Sequence, residues 1–131
     1  MLGILGSGFG LYGYLPAAVA AGHDQILLPA RYQSKFDTRT ELRRFVNNIV
    51  WVKSDDAVLR AATTLVVSRR PADQFLLLPD LLSLPNLKNI VFEKPLAPSP
   101  EEALRMLELL NKTDKKYVVG FIFRFIPWAK V

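Results

Sequence analysis

Short apolar runs alternate along this chain with longer stretches of helical periodicity, and that alternation limits the fold more than any single motif. Residues 1–5, 25–28, 49–52, 63–67, 89–92 and 117–123 read as strands. Helical patterns fall between them over 11–21, 39–46, 54–61, 72–82 and 99–111. Gly22 stops the first of these helices, Ser54 is the expected N-cap of the third, and Pro79 is expected to interrupt the fourth. "SPEE" at 99–102 is a capping box with proline at the first helical position. Several strand runs are uniformly apolar rather than alternating, as strands covered on both faces are. The expectation is a doubly wound α/β domain: a mostly parallel sheet of about six strands with helices on both faces.

The length of 131 residues allows one hydrophobic core and is short for a two-domain enzyme. The absence of cysteine removes disulfides and thiolate metal sites, and a single histidine removes a multi-histidine site, so no metal is expected. Apolar runs all fall well short of a membrane span, and no basic segment precedes the first one. A cytoplasmic protein with no membrane partner is the expectation. The net charge of +5 points to an anionic partner, but Arg39, Arg43 and Arg44 carry no interleaved aromatics and read as a solvated helix face. Nucleic acid is therefore not an expected partner, and assembly into a homo-oligomer stays open.

In a doubly wound sheet the ligand lies at the carboxyl ends of the strands, so the residues just after each strand carry the information. After the first strand comes "GSGFGLYG", where two glycine triplets share the spacing of a phosphate-binding turn. Gly8, Gly10 and Gly13 form a complete triplet; Gly6 and Gly8 form an incomplete one, with Leu11 at the third position. A phosphate needs backbone N–H groups beside a helix N-terminus, directly after the strand, and this favours Gly6, Ser7 and Gly8, with Phe9 and Gly10 adjoining. After the second strand, where an acid would meet the ribose hydroxyls of NAD, the sequence is "PARYQSK". No acid is present there. Arg31, Ser34 and Lys35 instead suit a 2′-phosphate, so the expected cofactor is NADP or NAD, with NADP favoured. Ser68, Arg69 and Pro71 follow the fourth strand in "VVSRRP", and Glu93 and Lys94 follow the fifth in "VFEKPLA".

"EKPLA" after a strand, then a capped helix, then "GFIFRFIP", resembles the N-terminal, Rossmann-type cofactor domain of the Gfo/Idh/MocA family of NAD(P)-dependent oxidoreductases, many of which act on sugars and polyols. The resemblance covers essentially the whole chain, with Glu93-Lys94-Pro95 its most specific element. The family's glycine turn leads into a Pro-Ala pair; aligning Pro16 and Ala17 on it again selects Gly6, Gly8 and Leu11. The resemblance implies that Lys94 is catalytic, reaching nicotinamide and substrate, and that Glu93 and Pro95 set its loop. Pro71 matches the proline beside the nicotinamide, Gln74 stands where many members have histidine, and Arg124 and Pro127 match the end of the domain. "SRRP" departs from the family's plainer segment, leaving Arg69 and Arg70 to face an anion or solvent. A lysine at a strand mouth suits hydride transfer at a carbinol carbon, since a compact cation orients the hydroxyl and stabilises charge growing on its oxygen.

The resemblance makes residues 1–123 a dinucleotide-binding domain and 124–131 the start of a connection to a second, substrate-binding domain absent from this chain. The chain is then expected to bind a dinucleotide without turning over a substrate, because His23 follows Gly22 in a turn at the far end of the sheet. A dinucleotide-sensing or partner-binding module without chemistry is the alternative.

Overall fold

The computed structural model describes residues 1–121 and shows one six-stranded sheet. Its strands are β1 (Leu2–Leu5), β2 (Ile26–Pro29), β3 (Ile49–Val52), β4 (Thr64–Val67), β5 (Asn89–Glu93) and β6 (Lys116–Gly120). They lie in the order β3-β2-β1-β4-β5-β6 and every neighbouring pair is parallel. The order reverses between β1 and β4, and it is at this switch point that a doubly wound sheet opens a crevice outside its carboxyl ends.

Alternate strand residues feed two separate cores. Leu5, Leu27, Leu65, Val67, Ile90 and Phe92 pack under α4 (Asp55–Ala61), α5 (Pro71–Ser83) and α6 (Pro100–Leu110). Ile4, Ile26, Leu28 and Val66 face the opposite way, under α1 (Leu15–Ala20), α2 (Gln33–Thr38) and α3 (Thr40–Arg43). With both faces loaded, the central strands β1, β2 and β4 cannot alternate between apolar and polar residues, which explains their apolar runs. Cover on the α1 side stops short of β6, where Val118 is 59% exposed.

Local signals behave as their chemistry requires. Ser54 Oγ accepts from Ala57 N at 3.2 Å and Ser99 Oγ from Glu102 N at 3.2 Å, so both expected caps are made. Three expectations need correction. The helix after β1 begins as a π-turn over Gly10–Tyr14 before α1, which carries fully buried Leu11 into the core on a turn wider than an α-turn. Pro79 does not interrupt α5: the helix runs unbroken from Pro71 to Ser83 with Pro79 exposed on it. The segment after β2, where no helix is expected before residue 39, forms a 3₁₀ turn, Ala30–Tyr32, running into α2. Arg124 and Pro127, the proposed connection at 124–131 and the end of the expected last strand lie outside the described residues.

Candidate functional site

Gly6 is the residue by which the chain leaves β1, and its backbone explains why only glycine stands there. Its φ of +135° is one that side chains rarely adopt, and a Cβ would lie 2.0 Å from the Ser68 carbonyl oxygen at the end of β4. The two strand ends at the switch point are thus in backbone contact, with Ser68 N donating to Leu5 O at 2.7 Å. At Gly8 a Cβ would meet nothing within 4 Å, so this residue leaves the mouth of the turn open. Gly13 is different: a Cβ there would strike only the ring of Phe9. Gly6 and Gly8 accordingly occupy the turn, and Gly13 lies beyond it on the helix.

The β2 end braces this turn from the side. Gly6 N donates to the hydroxyl of Tyr32 at 2.8 Å, and Lys35 Nζ donates to Ser7 O at 2.9 Å. Ser34 is exposed on α2 and its carbonyl accepts from Thr38 Oγ1. Arg31 reaches along the edge instead. Its Nε and Nη2 donate to the two carboxylate oxygens of Asp55 at 3.0 and 2.8 Å, and its guanidinium carbon stands 4.7 Å from the centre of the Tyr32 ring. Asp55, the first residue of α4, also pairs with Arg69. Partial burial pushes the Asp55 carboxyl up, but the hydrogen bond from Arg31 and the charges of Arg69 and Arg31 outweigh it and hold it below the usual carboxylate range.

Gly6, Ser7, Gly8, Arg31, Tyr32, Asp55 and Arg69 help line an open cleft of about 630 Å³, whereas Ser34 and Lys35 are not part of its lining. Arg70 lines it from the far side and donates to Asp73 at 3.0 Å. Its neighbour Pro71 is the first residue of α5. Three arginines and two aspartates therefore share one pocket, a lining suited to a polar, anionic ligand rather than an apolar one.

Glu93 and Lys94 lie on the same carboxyl edge, two strand spacings from β1 or roughly 10 Å. The hydroxyl of Tyr14 donates to Glu93 Oε2 at 2.7 Å and ties this loop to the helix that follows the glycine turn. Burial first, then the hydrogen bond to and the charge of Glu93, push the Tyr14 phenol well above its ordinary value. Gln74 on α5 holds the loop from below: fully buried, its Nε2 donates to the carbonyls of Glu93, Pro95 and Leu96 at 3.0, 3.2 and 3.2 Å. Three acceptors around one nitrogen fix the orientation of the amide. Lys94 is exposed and, among the described residues, has no ion-pair partner. His23 is exposed just before β2, at the opposite edge of the sheet.

Residue by residue, Gly6, Ser7, Gly8, Arg31, Ser68 and Arg69 share the cleft. Phe9 is 42% exposed and stacks edge-on with Tyr14, while Gly10 is buried against Ile4 and Ser68. Tyr14, Tyr32, Asp55 and Gln74 carry structural or electrostatic roles that the reading of the sequence did not assign. Asp55 has a signal in the sequence, since it follows a strand at the carboxyl edge of the sheet. The other three have none, since each acts through partners 19 or more positions distant in sequence.

A parallel sheet in this order, with a glycine turn at its switch point, defines a dinucleotide-binding domain of the Rossmann type. The chain belongs to the Gfo/Idh/MocA oxidoreductase family, matching its model of the "NAD-binding Rossmann fold" over residues 2–121. No curated protein matches it. Among solved structures it is similar to a dehydrogenase (MviM) from Clostridium difficile, at 20% identity and a TM-score of 0.72, over 96% of this chain and 40% of that one. It is also similar to UDP-N-acetylglucosamine 3-dehydrogenase GnnA from Acidithiobacillus ferrooxidans, at 18% identity and TM-score 0.70, over 98% and 40% of the two chains. A super-repressor mutant of Gal80p from Saccharomyces cerevisiae aligns at 17% identity and TM-score 0.69, over 97% and 35%. The chain thus spans about two fifths of the length of these structures or less, and at such identities the likeness is one of fold. Among the described residues no helix is long and apolar enough to cross a membrane.

Proposed function

We propose that this chain is the cofactor-binding part of an NAD(P)-dependent oxidoreductase acting on a sugar- or polyol-type hydroxyl or carbonyl carbon, with Lys94 at the reacting end. The observation that carries this reading is the presence of Gly6–Gly8 and Lys94 on one carboxyl edge, joined by the Tyr14–Glu93 hydrogen bond. The residues fit a dinucleotide: Gly8 leaves the turn open, and the cleft beside it is polar and large enough for an adenosine half. When bound, the nicotinamide ring supplies a hydride acceptor or donor. Lys94 would orient the substrate oxygen and stabilise the charge that grows on it. Arg31 and Arg69 favour NADP over NAD at the adenosine end, and Ser7, Phe9, Gly10, Ser34, Lys35, Ser68 and Pro71 frame the bound molecule. Among the described residues no histidine stands at this edge, so turnover calls for an acid/base group from elsewhere, such as a second domain.

The test is calorimetric titration with NAD and NADP, followed by assay against sugars and polyols. Binding of a dinucleotide, tighter for NADP, without turnover by the 131-residue chain is the expected result. In a longer form with turnover, Lys94→Ala should lower kcat at least a hundredfold while leaving dinucleotide affinity within about threefold. No binding of either dinucleotide overturns the reading. A second reading, a dinucleotide-sensing module without chemistry, draws support from the similarity to a regulator, Gal80p; it predicts binding without turnover even in the longer form.

A further inference from the structure

The cleft holds a feature that neither a glycine turn nor a catalytic lysine requires. An acid is missing after β2, yet one arrives from the next strand over: Asp55 opens α4 after β3, and its carboxylate lies between Arg31 and Arg69. Arg31 grips it with two donors, at 3.0 and 2.8 Å. The side chains are neither buried nor free, with Arg31 57%, Asp55 30% and Arg69 21% exposed. All three line the same cleft as Gly6 and Gly8.

We propose that Asp55 is an internal counter-ion that tempers the preference for NADP, occupying the place between Arg31 and Arg69 that the 2′-phosphate of a phosphorylated adenosine would take. This inference rests on the cleft binding a dinucleotide. A carboxylate and a phosphate present the same paired oxygens to a guanidinium, so the two compete for one fork. Phosphate carries more charge and a third oxygen, and it can displace a carboxylate from a site this open to water. The displaced Asp55 then faces the incoming anion with like charge, which lowers affinity for the 2′-phosphorylated ligand. Where the ribose bears hydroxyls instead, Asp55 stays on Arg31 and offers its remaining lone pairs as acceptors, the part an acid after β2 plays in other sheets of this kind. The same carboxylate therefore penalises one cofactor and assists the other. Tyr32 keeps the Arg31 guanidinium in place through the exchange, because cation and ring remain stacked whichever anion is held.

The experiment uses adenosine 2′,5′-bisphosphate and adenosine 5′-monophosphate as calorimetric probes on the whole chain, so that no turnover is needed. Asp55→Asn should tighten the bisphosphate at least tenfold and leave the monophosphate unchanged or weaker. Adding Arg31→Ala to that variant should remove the gain. Asp56→Asn removes the same charge one residue away, from an exposed pair with Arg60, and should move the ratio less than twofold. Asp55→Ser repeats the test should asparagine perturb the fold, which melting curves of all variants would reveal. A ratio unchanged in both Asp55 variants, a gain that survives loss of Arg31, or an equal gain in Asp56→Asn overturns the assignment while leaving the dinucleotide site standing. Failure of the parent chain and every variant to bind either probe, or NAD or NADP, overturns the assignment together with the cofactor reading beneath it.

Discussion

At the β5 end of the site the loop over 93–96 hangs on the buried amide of Gln74, whereas at the β2 end Arg31, Asp55 and Arg69 are joined by charge and are partly exposed, Arg31 most of all. Both arrangements hold groups at the carboxyl edge of one sheet, but they hold them for different purposes. A buried amide donating to backbone carbonyls has no competitor, because water cannot reach it, and so it sets a fixed geometry for Lys94. An exposed ion pair is nearly balanced against hydration and exchanges partners at little cost. The loop that carries Lys94 is held by buried hydrogen bonds, and the charged cluster by ion pairs that water can reach.

The sharpest way to break this contrast is a pair of substitutions read by denaturant melts. Gln74→Leu keeps the volume but leaves three carbonyls without their donor, and should cost about 3 kcal/mol. Arg31→Ala removes a bidentate ion pair and should cost less than about 1 kcal/mol. Equal losses would show that the two ends are held alike. A smaller effect should appear in acid. The Asp55 carboxyl lies below its unfolded value, so its contribution is complete above the ordinary carboxylate range and fades as pH falls through its folded value. Stability of the parent chain minus that of Asp55→Asn, followed from pH 6 to pH 2 (a span bracketing the unfolded value of about 3.9), should therefore shrink toward the acid end. The smallest effect is spectroscopic. Of the four tyrosines, Tyr14 is raised by burial and by Glu93, so its stabilising share is present below about pH 10 and lost as pH rises through its folded value. Absorbance titration of the parent chain minus that of Tyr14→Phe should show this phenol ionising above its ordinary value, and Glu93→Gln should lower it.

The alternation of strands and helices, both helix caps, the choice of Gly6 and Gly8, and the loops that carry Arg69 and Lys94 could all be read along the chain. They could be read because each depends on neighbours: a cap needs a residue three positions on, and a glycine turn follows its own strand. The continuity of α5 through Pro79 is not legible in this way, since proline is a local breaker and its exposure on the finished helix is not a local property. Asp55 was legible in principle, as the residue after a strand. Its partnership with Arg31 was not, because 24 positions separate them and only the parallel pairing of β2 with β3 brings their ends together.

By itself the sequence determined that this protein is a parallel, doubly wound domain with a glycine turn at its opening strand, because hydrophobic period, capping and turn chemistry are all short-range. Only the tertiary structure decided that Gly6 must be glycine to clear the Ser68 carbonyl, that Gln74 supports the lysine loop, and that the arginines of two strand ends meet on one aspartate. Those contacts arise where strands distant in sequence lie about 5 Å apart in the sheet, and strand order is not written in any one segment.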